Sequence, residues 1–363
     1  MTALLFSASL VTVAMGACGR NDDLGTDTSS GGASSSAGSG GTGGGASSTA
    51  ASSSSASGSG GGGGIDAGPT GPTRLTIVNG LVDYPAARLC FLPDDTPWPA
   101  AATGLAYGAA SVVDPIAPTV PAGSDVTVWL VTGDLTQAAG KTCTQILALP
   151  PPSGDAGAPD AGSAGVLSLQ LAVIPQAVLS AQKSLLLVVT GCAGGPGHDD
   201  SSGGLACGMG YSPTSPTAGV LLGAMSRITD PGHVSLQVAA GSAGTPLGDV
   251  RVTPGLTTPT DAVIAPLISF GAIAPAPPFQ GLSLNEFGDV GTAALKTFPQ
   301  NSGTATSQIA LGDVFAASAV KQADFLDGGG FVLVARGAHP ALGGSTLFQK
   351  YGYTLVKADP GAD

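Results

Sequence analysis

Short apolar runs separated by glycine, proline and aspartate recur along most of this 363-residue chain. Several of them alternate apolar and polar residues with a period of two, and β-branched residues are frequent, as in half-buried strands. Helix signals are sparse, and the best candidates for short helices are 175–183 and 316–326. The pattern therefore predicts an all-β fold, a sandwich or a barrel. The clearest runs are 75–78, 88–92, 126–131, 185–189, 234–238 and 331–335.

The two halves of the folded region share four landmarks in the same order. The matched segments are 75–78 with 234–238, 105–109 with 268–272, 142–146 with 304–309, and 185–191 with 331–337. Four landmarks in register favour a duplicated sandwich over a chance similarity between strands. We therefore predict a first β-sandwich domain over 73–215 and a second over 216–363.

Three motifs of the first half carry a family resemblance. They are Arg74-Leu75-Thr76-Ile77-Val78-Asn79-Gly80, Leu105-Ala106-Tyr107-Gly108-Ala109-Ala110-Ser111 and Val120-Pro121-Ala122-Gly123. The sequence resembles an uncharacterised secreted bacterial family of immunoglobulin-like β-sandwich domains, whose members occur as tandem copies in anchored surface proteins. The second half keeps only Phe270-Gly271 of these motifs. The resemblance implies two tandem immunoglobulin-like sandwiches and no catalytic residues.

The N-terminal segment indicates how the protein is exported and attached to a membrane. Residues 4–17 are apolar or small, and a helix of that length spans roughly 21 Å, too short for a bilayer core of about 30 Å. Met15-Gly16-Ala17-Cys18 resembles the lipobox of a bacterial lipoprotein, which implies a cleaved signal peptide over 1–17 and a lipid anchor on Cys18. Gly19 after the cysteine fits export to the outer membrane. Secretion without lipid, with Cys18 incidental, is the alternative.

A low-complexity segment follows this cysteine. Residues 28–64 are all glycine, serine, alanine or threonine. Such a segment cannot bury enough apolar surface to offset its ordering entropy, so we predict a disordered linker over 18–72. A coil of fifty Gly/Ser residues has an end-to-end distance of roughly 40 Å, enough to hold a folded domain away from a membrane.

Four cysteines remain after Cys18, namely Cys90, Cys143, Cys192 and Cys207. An even count in an exported chain suggests two disulfides, and four cysteines allow three pairings. In the second half Ala305 takes the place of Cys143, and no residue near 250–252 matches Cys90, so both are absent together. We therefore predict the pairs Cys90–Cys143 and Cys192–Cys207. A metal site is the competing interpretation, but no C-x-x-C motif or histidine at ligand spacing supports it.

Only one short segment, His198-Asp199-Asp200, combines a histidine with two adjoining carboxylates. It could bind a cation or act as a base, although a solvated acidic loop tip is the simpler interpretation. Gly140-Lys141-Thr142 resembles the end of a phosphate-binding loop, but the position that requires glycine is Leu135. The folded region has no G-x-S-x-G motif for a nucleophile. We predict no catalytic residue, no metal site and no cofactor.

Trp98 is the main candidate for a carbohydrate contact, because we expect the proline-flanked segment around it to be stiff and exposed. Exposed aromatic rings present an apolar face and a polar edge, which suits sugars. Tyr84, Tyr107 and Tyr211 are potential companions. An aromatic content of 5% counts against a broad aromatic platform, and we expect Tyr107 and Trp129 to pack in the core instead.

The net charge of the chain argues against nucleic acid as a partner. The formal net charge is −12 and only 10% of residues are charged, whereas nucleic-acid binding needs a basic surface. We therefore predict a lipid-anchored, surface-exposed protein of the bacterial outer membrane, with a binding, adhesion or structural role and no catalytic activity. Its partners are the membrane, through the lipid, and a surface protein or glycan. An exported hydrolase, or a glycan- or calcium-binding adhesin, is the alternative.

Overall fold

The computed structural model describes residues 73–113, 120, 123–152, 165–180, 182–198, 201–227, 230–245, 248–256, 260–277, 279, 281–342 and 346–358. Contacts divide the chain into two units, Met1–Gly61 and Gly62–Asp363. All described residues lie in the second unit. The signal peptide and linker predicted over 1–72, with Cys18, lie outside them. None of the helices in the described ranges is long and apolar enough to cross a membrane.

Short strands make up most of the described structure. The strands of the first half are β1 (Arg74–Asn79), β2 (Ala86–Leu92), β3 (Leu105–Ala106), β4 (Ala110–Val113), β5 (Val126–Gly133), β6 (Val166–Ile174), β7 (Ser184–Thr190) and β8 (Gly219–Met225). Those of the second half are β9 (His233–Ala240), β10 (Asp249–Thr253), β11 (Ala262–Ala265), β12 (Ile273–Ala274), β13 (Leu282–Ser283), β14 (Ala294–Phe298), β15 (Ser307–Ala310), β16 (Gly329–Arg336) and β17 (Gly352–Lys357). All six apolar runs of the sequence lie in strands, and the all-β prediction is confirmed.

The first half forms two four-stranded sheets, with strand orders β4-β1-β7-β8 and β3-β2-β5-β6. Strands β1 and β7 are parallel, with Ile77 opposite Leu187, and the other neighbours are antiparallel. Strand β8 follows residue 215, where we placed the end of the first domain, and it pairs with β7 over its whole length. The hydrogen-bonded sheets of the first half therefore extend to Met225.

The second half repeats this arrangement. Its sheets have the orders β12-β9-β16-β17 and β11-β10-β14-β15, and the short β13 also pairs with β9. Strands β9 and β16 are parallel, as β1 and β7 are. Strand for strand, β9 thus corresponds to β1, β10 to β2, β14 to β5 and β16 to β7. The shared order supports the duplication inferred from the sequence landmarks.

The sheets β4-β1-β7-β8 and β12-β9-β16-β17 pack against each other in the middle of the unit. Leu187 of β7 packs in the core of the first half, and Leu333 of β16 packs in the core of the second. Their neighbours Val188 and Val334, which point the opposite way, share a third cluster between the halves. Because both faces are covered, β7 and β16 are buried along their whole length. The half-buried pattern that we predicted is wrong for these central strands.

The helices are short. They are α1 (Cys143–Leu147), α2 (Gln176–Leu179), α3 (Gly203–Cys207), α4 (Leu311–Ala316) and α5 (Gln322–Leu326). Helices α2 and α5 lie within the two segments where we predicted short helices. The third landmark of the repeat is wrong, because Thr142 caps α1 through a 3.3 Å hydrogen bond from the Gln145 amide, whereas 304–309 leads into β15. The first half inserts α1 between β5 and β6, where the second half has a hairpin.

Two disulfides connect loops to the sheets, and their pairing is the predicted one. Cys90 of β2 is bonded to Cys143 at the start of α1, with 5.7 Å between the Cα atoms. Cys192, just after β7, is bonded to Cys207 at the end of α3, with 5.4 Å between the Cα atoms. The first bond fastens α1 to its sheet, and the second closes the loop that leaves β7.

Candidate ligand-binding site

A cavity of about 660 Å³ opens where the loop after β3 meets the start of β17. We call it the seam cavity, because Tyr107 comes from the first half and the other lining residues come from the second. Small-molecule sites usually measure about 300–1,000 Å³, so the size suits a small ligand. The lining residues are Tyr107, Ile309, Asp313, Val314, Ala317, Arg336, Thr346, Phe348, Gln349, Lys350, Tyr351, Gly352 and Tyr353.

Arg336, the last residue of β16, is the most buried charged residue of the cavity wall, with 9% of its surface exposed. Its Nε atom donates a 2.6 Å hydrogen bond to the Thr354 hydroxyl. Its Cζ atom lies 4.5 Å from the centre of the Tyr107 ring, a cation–π distance. The ion pairs among the described residues do not include Arg336. A positive charge therefore faces the cavity, and no carboxylate of the described residues is bound to it.

The loop of the first half holds this arginine in place. The Tyr107 hydroxyl donates to the Lys350 carbonyl at 2.6 Å, and the Thr354 hydroxyl donates to the Gly108 carbonyl at 2.7 Å. Burial raises the pKa of the Tyr107 hydroxyl, and the nearby positive charge of Arg336 lowers it by a smaller amount. Because the Thr354 hydroxyl accepts from Arg336 and donates to Gly108, the guanidinium and the loop are held in one arrangement.

Tyr351 and Tyr353 supply neutral hydroxyls beside the cavity. The Tyr351 hydroxyl donates to that of Tyr353 at 3.1 Å, and the Thr297 hydroxyl lies 2.6 Å from the Tyr353 hydroxyl. Burial raises the pKa of both tyrosines, that of Tyr353 well above its ordinary value. These hydroxyls therefore stay protonated and act as hydrogen-bonding groups rather than as bases.

The remaining polar wall is open to solvent. Asp313 of α4, Lys350 and Thr346 are exposed, and Gln349 is half-buried. Together with Arg336, the charged lining residues give two positive charges and one negative charge. Ile309, Val314 and Phe348 add apolar surface. The described wall thus combines a net positive charge, uncharged hydrogen-bonding groups and apolar patches.

A second cluster lies at the Cys192–Cys207 loop and includes His198. The His198 Nδ1 atom is 4.0 Å from the Asp83 carboxylate, and the two side chains are 12% and 0% exposed. The Asp83 oxygens accept hydrogen bonds from the amides of Ala193 and Gly194, at 3.0 and 2.7 Å. Burial raises the pKa of Asp83 to about 6, although these hydrogen bonds lower it. Burial also lowers the pKa of His198.

This cluster differs from the predicted His198-Asp199-Asp200 site. Asp199 and Asp200 lie outside the described residues, and the carboxylate that faces His198 is Asp83, far away in the sequence. The His198 ring also lies 4.5 Å from the Tyr84 ring. Since the Asp83 carboxylate is buried and already accepts two backbone hydrogen bonds, the described part of this cluster serves to join loops.

Trp98 is half-buried rather than exposed, so the expectation of an exposed ring is wrong. Its amide donates to the Leu89 carbonyl at 2.8 Å, and its carbonyl accepts from the Leu89 amide at 2.6 Å. This bridge holds the segment against β2, and the ring packs on the core of the first half. Tyr107, for which we expected a place in the core, instead lies at the seam cavity.

Sequence reasoning missed the residues that give the seam cavity its charge, which are Arg336, Lys350 and Asp313. For Arg336, the sequence did contain one indication of its role. Arg336 ends the run 331–335, in which every residue is apolar. A charged residue at the end of a buried strand needs a compensating partner, and this requirement alone marks the position.

The described residues contain no group of three or more histidine, cysteine, aspartate or glutamate side chains that could hold a metal ion. A comparison of the chain with protein-family models, with curated proteins and with solved structures found no match. The geometry of the seam cavity is therefore the main guide to function.

Proposed function

We propose that this chain is a lipid-anchored protein of the bacterial outer membrane that binds a small sugar or a sugar terminus at the cell surface, without catalysing a reaction. In this proposal Cys18 carries the lipid and the low-complexity segment is the linker. The two halves are tandem immunoglobulin-like sandwiches, each with two facing sheets and a core of its own. In this proposal the folded region is the part of the protein that binds the sugar.

The seam cavity carries this proposal. Its volume suits a monosaccharide or a disaccharide, and its wall mixes tyrosine rings with hydrogen-bonding side chains, as sugar sites do. Hydrolysis of a glycosidic bond usually needs two carboxylates that flank it. Among the described lining residues Asp313 is the single carboxylate, which favours binding over cleavage.

The hydrolase alternative has less support. Its best candidates are Asp83 and His198, but the Asp83 side chain is fully buried and both of its oxygens accept backbone amides. A general base must be able to reach the substrate proton, directly or through one water molecule. The exposed wall of the seam cavity around Asp313 offers a ligand far better access.

Blocking the seam cavity tests the proposal. Ala317 lines the cavity, and its neighbour Ala316 is also exposed but is not among the lining residues. We expect the full chain, purified in detergent, to bind at least one sugar on an array of neutral and acidic mono- and disaccharides. Ala317→Trp should weaken that binding by about tenfold or more, because a bulky ring occupies the cavity. Ala316→Trp, the matched control, should bind as the wild type does.

Two results would contradict the proposed function. One is that the wild-type chain binds no sugar on the array. The other is that Ala317→Trp binds as tightly as Ala316→Trp, which would place any sugar contact outside the seam cavity.

Lipid attachment is tested separately at the N-terminus. We expect mass spectrometry of the mature protein to show a first residue Cys18 that carries acyl chains, since more than one chain is needed for stable anchoring. Cys18→Ala should move the protein from the membrane fraction to the soluble fraction or leave its signal peptide uncleaved. An unmodified Cys18 in the mature protein would rule out the anchor.

A further inference from the structure

We infer that the seam cavity takes a carboxylate-bearing sugar, a hexuronic acid, whose carboxylate pairs with the guanidinium of Arg336. This inference deepens the proposed function and rests on it. It adds the chemical class of the sugar and the residue that selects it.

The first argument is the charge of Arg336. Nine-tenths of the residue is buried, yet it has no ion-pair partner among the described residues. Buried charges in proteins are paired in almost all cases, because an unpaired one has lost its water without compensation. The Thr354 hydroxyl and the Tyr107 ring compensate only part of this loss. An anionic ligand in the cavity supplies the missing partner.

The second argument is the fixed orientation of the guanidinium. Its Nε atom is held by Thr354, and the Tyr107 ring lies against it. A Cβ atom at Gly108 would come within 2.7 Å of the Nε and Nη2 atoms, so glycine is needed for the guanidinium to lie there. The guanidinium has hydrogen-bond partners in the Thr354 and Tyr107 hydroxyls, and its remaining N–H groups are left for a ligand. A pre-positioned fork of two N–H donors matches a carboxylate.

The third argument concerns the kind of anion. The described charged lining residues sum to one positive charge, two from Arg336 and Lys350 less one from Asp313, which balances a monoanion. A phosphate dianion would leave an excess negative charge beside Asp313. Asp313, Thr346 and Gln349 can exchange hydrogen bonds with sugar hydroxyls, and the apolar wall can cover the C–H surface of a sugar ring. A hydroxylated monocarboxylate therefore fits this wall better than phosphate or a neutral sugar.

Calorimetric titration of the full chain in detergent tests the inference with three probes, namely sodium glucuronate, glucose and inorganic phosphate. We expect saturable binding of glucuronate and at least about tenfold weaker binding of glucose and phosphate. Arg336→Lys keeps the charge but loses the fork, and it should weaken glucuronate binding by about tenfold or more. Lys350→Met should weaken it by several-fold, because Lys350 is an exposed charge that acts at longer range.

Two variants keep the result interpretable. Lys357→Met, at the end of β17 and outside the cavity, should bind glucuronate as the wild type does. Since Arg336 also joins the two halves, its variant must first show an unchanged thermal unfolding midpoint. If Arg336→Lys does not fold, Lys350→Met alone decides the question, because an exposed side chain can be changed without loss of the fold.

The outcomes separate this inference from the proposed function. Equal binding of glucose and glucuronate, or tighter binding of phosphate, would overturn the carboxylate assignment. If the cavity binds a neutral sugar that Ala317→Trp blocks, the proposed function holds and this inference fails. If none of the sugars binds, both fail. Unchanged glucuronate binding in folded Arg336→Lys, or in Lys350→Met, would also overturn it.

Discussion

Replacing Phe325 by alanine is expected to lower the free energy of unfolding by about 3–5 kcal/mol. Phe325 is fully buried, and its ring lies 5.5, 5.5 and 5.0 Å from the ring centres of Phe287, Phe315 and Phe331. Truncation removes the central ring of this group and leaves a cavity that the surrounding sheets cannot close. Chemical denaturation of the full chain, followed by intrinsic fluorescence or circular dichroism, measures the loss.

The neighbouring residue provides a matched control for this prediction. Leu326 ends the same helix, α5, and is 47% exposed. Leu326→Ala should change the free energy of unfolding by about 1 kcal/mol or less, because it gives up little buried surface. Equal losses in the two variants would mean that Phe325 is not the centre of the second-half core.

The strands could be predicted from the sequence because each run carries its own evidence. β-branched residues, alternation and flanking glycine or proline mark β1, β2, β5, β7, β9 and β16 without reference to the rest of the chain. Whether a strand is half-buried or fully buried depends on what covers its second face. For β7 and β16 this cover is the other half of the molecule, and periodicity within one strand does not contain that information.

The repeat gave the right disulfides although one of its landmarks was wrong. Cys90 and Cys143 are both absent from the second half because α1, which carries Cys143, has no counterpart between β14 and β15. Aligning 142–146 with 304–309 matched a helix to a strand. The predicted Cys90–Cys143 pair was still correct, because the prediction depended only on the absence of both cysteines from the second half. It did not depend on a correct alignment of either cysteine.

The seam cavity could not be predicted, because its parts are distant in the sequence. Tyr107 and Lys350, whose hydroxyl and carbonyl are 2.6 Å apart, are separated by 243 positions. Arg336 is the last residue of a strand that the sequence marks as buried, and its role depends on the loop that Tyr107 and Gly108 bring from the other half. Only the face-to-face packing of the central sheets places these residues together.

Asp83 was missed for the same reason, and its burial leads to a second prediction of large effect. It lies in the loop between β1 and β2, and its carboxylate fastens that loop to Ala193 and Gly194 after β7. The Tyr84 hydroxyl adds a 2.7 Å hydrogen bond to the Gly194 carbonyl. The contacts hold the loop, but they do not fully compensate for the removal of the carboxylate from water, since its pKa rises to about 6.

Asp83 should therefore contribute stability that is lost as pH rises from about 4 to above 6. The folded-state pKa of Asp83, about 6, exceeds the ordinary value of 3.8, so the native state holds a proton that the unfolded state releases in this interval. The associated stability is complete below pH 4 and is lost as pH rises through the folded-state pKa. The difference of about two pKa units corresponds to about 3 kcal/mol.

Comparison with Asp83→Asn isolates this contribution. The variant cannot titrate at position 83, so the difference between its unfolding free energy and that of the wild type should change by up to about 3 kcal/mol between pH 4 and pH 7. The lowered pKa of His198 acts in the opposite direction, and it cancels in the difference if its environment is unchanged. Urea denaturation at several pH values measures both curves.

Asp134→Asn serves as the control of opposite sign. Hydrogen bonds from the side chains of Thr136 and Gln137 lower the pKa of this exposed carboxylate. Its stabilising effect is therefore present above the ordinary pKa and is lost on acidification, so the variant should lose more stability at neutral pH than at acid pH. If Asp83→Asn follows the same direction as Asp134→Asn, the backbone hydrogen bonds outweigh burial at Asp83, and the loop junction is most stable with a charged carboxylate.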